Sequence, residues 1–196
     1  MHSEDLVWKT TPVEKLWVLD KLLLSRTLGY ECGPTGIDVD KPGTYIVRPC
    51  VNALGLGLGA EKVYLNGSTN HLPYGYFWCE WFDGRHFSVD YEYGKQKLCV
   101  EGFKSANTFT HWDRWVKVDK QIVLPNELAQ FYQEPILNVE YIDGKAIEVH
   151  LRENEDFADG ISEFIPVWQG QDTDPPSGFT YRHYPDVHGR IGAFVR

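Results

Sequence analysis

The segment Ile136–Arg152 constrains the fold more than any other stretch of the chain. Apolar residues stand at Leu137, Val139 and Tyr141 and, beyond Asp143-Gly144, at Ile147, Val149 and Leu151, all at odd positions. Successive strand side chains point to opposite faces. An antiparallel pair that buries the odd residues must therefore present Asn138, Glu140, Glu148, His150 and Arg152 together on the other face. Register also bears on the turn. A two-residue Asp143-Gly144 loop pairs odd with even and splits the apolar set, whereas a three-residue loop, Ile142-Asp143-Gly144 with Gly144 in a bulge, pairs odd with odd. The pattern predicts strands over Ile136–Ile142 and Lys145–Arg152 joined by the three-residue loop. Carboxylate oxygens gathered in this way suit Mg2+ or Mn2+, and an arginine beside them can grip a phosphate or carboxylate with two hydrogen bonds. The same pattern also fits a solvated sheet face crossed by ion pairs.

Phe77–Tyr91 repeats the alternation. Phe77, Cys79, Trp81, Phe87, Val89 and Tyr91 are odd and apolar, Glu80, His86, Ser88 and Asp90 are even and polar, and Asp83-Gly84 lies between them. This reads as a second amphipathic hairpin. Further strands are predicted at Thr44–Arg48, Glu61–Leu65, Gln96–Phe103 and His111–Val118. Helical signals are fewer. Thr11-Pro12-Val13-Glu14 combines an N-cap, a first-turn proline and a capping box, and the apolar spacing that follows predicts one helix over Pro12–Leu28, stopped by Gly29. A short helix is expected over Pro125–Tyr132. The tail from Phe157 to Arg196, with its prolines and glycines, reads as irregular chain docked on the body.

Two groups of residues invite a phosphate. Lys21 follows Asp20 in the predicted helix, and Arg48 ends a strand just before a loop containing Gly55, Gly57 and Gly59. Glycines let backbone N–H groups approach an anion closely. Such loops between strands are also often only turns. The loop is neither a P-loop nor a dinucleotide-binding fingerprint.

Composition narrows the function. The 28 acidic residues exceed the 19 basic ones, for a net charge of −9. That argues against a nucleic-acid surface while leaving room for a small focused anion site. No apolar run approaches the roughly 18 residues of a membrane-crossing helix, and Met1–Thr10 lacks the apolar core of a secretion signal. Cys32, Cys50, Cys79 and Cys99 contain no C-x-x-C pair, so reduced thiols in a cytoplasmic protein are expected. The seven Trp and eleven Tyr serve either a sheet core or a stacking surface.

Taken in order, these parts resemble the ATP-grasp fold. Asp20-Lys21 lies in a helix, and Gly33-Pro34 follows. Next come the strand Tyr45-Ile46-Val47-Arg48-Pro49 and the glycine-rich loop. The run Phe77-Trp78-Cys79-Glu80-Trp81-Phe82-Asp83-Gly84 precedes the closing pair Asn138-Val139-Glu140-Tyr141 and Ile147-Glu148-Val149-His150-Leu151-Arg152. The resemblance covers about Leu16–Arg152. It implies an α+β protein of two lobes with antiparallel sheets enclosing a nucleotide cleft: a phosphate-binding lobe (1–75), an adenine- and metal-binding lobe (76–156) and the tail (157–196).

The resemblance further implies ATP and Mg2+, with Mn2+ an option, as cofactors. Lys21 and Arg48 would meet the phosphates, and the loop of Gly55, Gly57 and Gly59 would cover them. Glu80, Trp81 and Phe82 would lie at the adenine. Glu140, Glu148 and His150 would hold metal, with Arg152 and Lys21 serving the reacting group. His150 stands where the family usually has Asn, and Arg48 where lysine is commoner. The implied activity is an ATP-dependent ligase that joins a small carboxylate or peptide to an amine or thiol through an acyl phosphate. Substrate recognition is then expected from the tail, a partner chain or a second copy. Two alternatives remain: a catalytically reduced nucleotide-binding protein that needs a partner, and a Trp-rich β-sandwich that binds carbohydrate.

Overall fold

A computed structural model describes residues 3–51, 57–105 and 109–196. A helix that the sequence did not announce, α1 (Ser3–Thr10), comes first. The single helix expected over Pro12–Leu28 is broken in two. Val13–Leu19 is a 3-10 helix. Asp20 then leaves helical geometry (φ −87°, ψ 108°), accepts a hydrogen bond from the Leu23 N–H, and caps a fresh helix, α2 (Lys21–Thr27). An aspartate cap stabilises a helix start by about 0.5–2 kcal/mol, so this internal start signal outweighs the continuous apolar spacing. Lys21 thereby becomes the first residue of α2. Its N–H donates to the Cys50 carbonyl (2.7 Å), and Asp20 bridges to Val51, which ties the helix to the chain just beyond Arg48.

Two antiparallel sheets follow. The smaller has the order β1-β4-β2-β3, from β1 (Cys32–Pro34), β2 (Gly43–Pro49), β3 (Glu61–Leu65) and β4 (Tyr76–Glu80). The larger is built from β5 (His86–Glu92), β6 (Lys95–Phe103), β7 (Arg114–Lys117), β8 (Leu137–Ile142), β9 (Lys145–His150), β10 (Glu163–Trp168), β11 (Thr180–Val187) and β12 (Arg190–Val195). Its order is β11-β12-β10-β7-β6-β5-β8-β9.

Three sequence expectations are corrected. First, Phe77–Tyr91 is not a hairpin. β4 pairs with β1 and β2 in the small sheet, β5 pairs with β6 and β8 in the large one, and residues 81–85 cross between the sheets. Alternation identifies faces but does not name a strand's partner. Second, the tail is not irregular. β10–β12 extend the large sheet beyond β7 and bury Phe164, Ala193 and Val195. Pro166 lies within β10 and Pro185 within β11, and register shifts interrupt both pairings with β12. Prolines and bulges blur the alternation from which strands are read.

Third, the β8–β9 turn is the two-residue loop after all. Ile142 pairs with Lys145 and Tyr141 with Ala146, and both Asp143 (φ 48°) and Gly144 (φ 84°) take the left-handed geometry of a type I′ turn. Register then shifts by one residue, so that Glu140 faces Glu148, Val139 faces Val149 and Asn138 faces His150. The turn dipeptide fixes the loop, the buried face fixes the register, and a bulge at Ile147 reconciles them. Ile147 packs instead with Phe77, Cys79 and Phe82, between the sheets.

The odd face of the large sheet (Phe87, Val89, Tyr91, Leu137, Val139, Tyr141) packs on Val18, Leu19, Leu24, Leu128 and Phe131. The Phe77 face of the small sheet meets the β8–β9 hairpin. All four cysteines are free thiols, and burial pushes the Cys79 thiol up to about 12. Among the described residues no helix is long and apolar enough to cross a membrane.

Candidate nucleotide and metal site

The polar face expected on β8 and β9 exists and carries a chain of paired groups. Lys21 Nζ lies 3.0 Å from Glu148 Oε2, and Glu148 Oε1 lies 3.4 Å from His150 Nε2. The same imidazole nitrogen is 3.8 Å from Glu140 Oε1, while Glu140 Oε2 is 3.0 Å from His86 Nε2. These side chains come from α2, β9, β8 and β5. Lys21 and His150 are buried. Behind them on the same face, Asn138 Nδ2 donates to Ser88 Oγ and Asp90 Oδ1, both at 2.8 Å.

Burial by itself raises the Glu140 carboxyl, but hydrogen bonds and charge from His150 and His86 outweigh it and hold the group well below its ordinary value of 4.5. A depressed carboxyl gives stability that is fully present above its unfolded value and lost as pH falls through the folded one. Urea stability of the wild type should therefore fall more steeply below about pH 4.5 than that of Glu140→Gln. Parallel pH profiles would show that the two imidazoles do not stabilise this carboxylate.

Arg48 joins the same hairpin from the small sheet. Its Nη2 donates to the Ile147 carbonyl (2.8 Å), the residue adjoining Glu148, and its guanidinium lies 5.3 Å from the Phe77 ring centre. Its Nε is buried without a hydrogen-bond partner. Leaving a charged donor buried and unsatisfied costs upwards of about 1–3 kcal/mol.

Gly55 lies outside the described residues. Gly57 (φ 68°) and Gly59 (φ 78°) end the glycine-rich loop. A Cβ on Gly57 would stand 2.8 Å from the Phe109 carbonyl oxygen, so bare backbone lets the loop from the small sheet reach the β6–β7 connection of the large one. At the crossing between sheets, Glu80 Oε1 accepts from the Glu31 N–H (3.2 Å) and its Oε2 lies 3.7 Å from Lys145. Trp81 donates to Asp83 (2.7 Å), lies under Lys62 at 4.0 Å and meets Phe109 edge-on at 6.0 Å. Phe82 is buried with Ile147.

Arg152 lies past the end of β9, where its Nη1 donates to the Glu153 carbonyl (3.0 Å). His86 and Phe109 are the site residues that sequence reasoning assigned no role. His86 was visible only as an even position on a polar strand, and nothing in its spacing announced Glu140.

Two carboxylates directly opposite each other supply charge and hard oxygens. Among the described residues, no group of three or more His, Cys, Asp or Glu side chains is placed to hold a metal ion; Glu148 is paired with Lys21 and Glu140 with His86. The carbohydrate alternative loses its basis. Trp78 is buried, and Trp81, Trp112 and Trp115 are partly covered, with Trp112 and Trp115 packed on each other at 4.6 Å.

Neither a protein-family model nor a curated protein matches the sequence. Solved structures match the fold. An ATP-grasp superfamily protein from Archaeoglobus fulgidus aligns over 91% of this chain and 64% of its own, at 14% identity and TM-score 0.52. N5-carboxyaminoimidazole synthetase from Staphylococcus aureus aligns over 91% and 67%, at 12% identity and TM-score 0.57. An L-amino acid ligase from Bacillus licheniformis aligns over 91% and 66%, at 11% and 0.51. The chain thus has an α+β ATP-grasp fold, and it spans 64–67% of the length of these three structures.

Proposed function

We propose that, on this ATP-grasp fold, the chain binds ATP with a divalent cation between its two sheets and serves an ATP-dependent ligase reaction of carboxylate–amine or carboxylate–thiol type. One observation carries the reading. The buried, incompletely satisfied Arg48 donates to the Ile147 carbonyl of the β8–β9 hairpin, next to Glu148, which pairs with Lys21, although Lys21, Arg48 and the hairpin are far apart in sequence.

In such a reaction a substrate carboxylate oxygen attacks the γ-phosphorus and ADP leaves; an amine or thiol then displaces phosphate from the acyl phosphate. Arg48 and Lys21 hold the phosphate oxygens and offset developing charge. Binding requires Lys21 to give up part of its pairing with Glu148. Glu140, Glu148 and His150 would be the residues to hold a divalent cation, which would offset phosphate charge there. Trp81 and Phe82, with Glu80, would lie at the adenine; Gly57 and Gly59 would help cover the phosphates; Arg152 would serve the reacting group. The acceptor subsite is assigned to β10–β12, a partner chain or a second copy.

Glu148→Gln keeps size and removes charge. Metal-dependent ATP turnover should fall at least about tenfold, equivalent to about 1.4 kcal/mol, while metal-free nucleotide binding changes little. Turnover that survives unchanged would reduce the carboxylates to a solvated sheet face. A second reading, nucleotide binding without turnover, is favoured by His150 in the Asn position. It expects no turnover in the wild type and a gain in His150→Asn, because an amide oxygen suits Mg2+ better than an imidazole.

A further inference from the structure

We propose that Cys32 and Cys79 are a redox modification site: in the folded chain they close a reversible disulfide that bridges β1 and β4. The inference goes beyond the nucleotide reading above and does not depend on it. The two residues are register partners across these antiparallel strands. Both belong to the face that packs on the β8–β9 hairpin, among Phe77, Phe82 and Ile147.

The kind of pair they form decides whether a bond can close. Facing residues of an antiparallel ladder alternate between hydrogen-bonded and non-hydrogen-bonded pairs, with Cα separations of about 5.5 and 4.5 Å. One step before Cys32, the Glu80 N–H donates to the Glu31 carbonyl (2.8 Å); one step beyond Pro34, the Thr35 N–H donates to the Tyr76 carbonyl (3.2 Å). Both ends of the ladder are thus hydrogen-bonded pairs, and counting inward from either makes Cys32–Cys79 a non-hydrogen-bonded one. Facing Cβ atoms come closest in such a pair, near about 4.5 Å. A disulfide takes Cα atoms about 4.4–6.8 Å apart and Cβ atoms about 3.5–4.5 Å apart. The opposite face holds the register as well. Trp78 lies over Gly33, where an added Cβ would stand 2.7 Å from the indole, and its Nε1 donates to the Ile37 carbonyl (2.8 Å). The backbone therefore keeps the two thiols at bonding range before any oxidation.

The other two cysteines stand elsewhere. Cys50 comes four residues after Ile46, which faces Cys79 across β2 and β4, a run of roughly 13 Å along a strand. Cys99 faces Val89 in the large sheet, in a different core. Access separates the roles within the pair. Cys32 is half-buried and Cys79 buried. Burial raises the Cys32 thiol, but the Arg26 guanidinium pulls against that rise, which favours Cys32 as the entering nucleophile. The oxidant is a small-molecule disulfide. The Cys32 thiolate attacks one of its sulfurs and expels one thiolate; the Cys79 thiolate then attacks the Cys32 sulfur, forms the Cys32–Cys79 bond and expels the second. Two protein thiols give up two electrons, the small disulfide takes them, and the two thiol protons end on the released thiols. Phe77, two residues from Cys79, lies 5.3 Å from the Arg48 guanidinium, so the bridge forms beside the residue assigned to phosphate.

The test incubates the full chain, folded and without nucleotide, with oxidised glutathione. Free thiols are then blocked with an alkylating agent, and peptide masses give the pairing. The wild type should carry a linked Cys32–Cys79 peptide with Cys50 and Cys99 alkylated, and dithiothreitol should reverse the link. Cys32→Ser should form no intramolecular disulfide. Cys79→Ala should stop at the glutathione adduct on Cys32, and Cys50→Ser should behave as the wild type. The oxidised wild type should unfold at a higher urea concentration than the reduced one, because the bond closes a long loop of the unfolded chain; Cys32→Ser should show no such shift. The wild-type pairing and the Cys32→Ser control decide the matter even if Cys79→Ala does not fold. A link that forms only in urea, equal linking of Cys32 to Cys50 and Cys79, or an oxidised chain that unfolds at lower urea than the reduced one would overturn the proposal.

Discussion

Arg48→Met should weaken ATP binding by about 10- to 150-fold, the span of a charge-assisted hydrogen bond worth about 1.5–3 kcal/mol. The side chain is buried at the end of β2, anchored at one nitrogen by the Ile147 carbonyl and left without a partner at Nε. Methionine keeps much of the length and the contact with Phe77 but can make no hydrogen bond to phosphate. Because the variant also removes an incompletely satisfied buried cation, its urea midpoint should hold or rise. Arg48→Lys keeps charge without the planar fork and should recover part of the affinity. Calorimetric titration with ATP reads all three proteins. Affinity unchanged in Arg48→Met would mean that the orphaned nitrogen is a packing accident and that phosphate binds elsewhere.

Phe164→Ala tests whether the C-terminal strands belong to the body of the fold. Phe164 is fully buried in β10, where it meets Phe157 at 6.2 Å and Tyr184 at 6.0 Å, and it packs with Val100 of the neighbouring sheet region. Truncating a buried phenylalanine costs about 3–5 kcal/mol, a large part of the 5–15 kcal/mol that typically holds a domain together. Urea unfolding should show that loss in a single transition. A cost below about 1 kcal/mol, or a separate early transition, would make the tail a loosely docked appendage. The structure argues otherwise, since buried Glu163 is held by Arg196 at 2.5 Å and Arg114 at 3.5 Å, which joins β10 both to the chain end and to β7.

What could be read from the sequence follows from where periodicity carries information. Alternation placed Glu140, Glu148 and His150 on one face correctly because a buried odd face leaves no other choice. It could not show that Ile147 bulges, since a bulge shifts register without changing composition, nor that the Ile147 carbonyl accepts from Arg48. Asp20 is a cap by residue type, but the longer apolar pattern running through it hides that start signal. Strand partners were hidden for a different reason. β4 is buried on both faces, with Phe77 and Cys79 toward the large sheet and Trp78 on the opposite side, so its alternation resembles that of an amphipathic strand without specifying its sheet. His86 reached Glu140 only through the pairing of β5 with β8, a long-range fact that no local spacing encodes. The order of the parts, from Asp20-Lys21 to Arg152, was the one global signal in the chain, and it led to the fold that the structure shows.

Thermal unfolding of the full chain with and without ATP, each with Mg2+, Mn2+ or chelator, tests the central claim most directly. A ligand present at 100 times its dissociation constant stabilises by about 2.7 kcal/mol, and for a chain of this size each kcal/mol moves the midpoint by roughly 2–4 °C. ATP with a divalent ion should therefore raise Tm by about 5–11 °C, with a smaller rise under chelator and little response in Arg48→Met. An unchanged Tm at millimolar ATP under every metal condition would contradict the assignment of a nucleotide site between the two sheets.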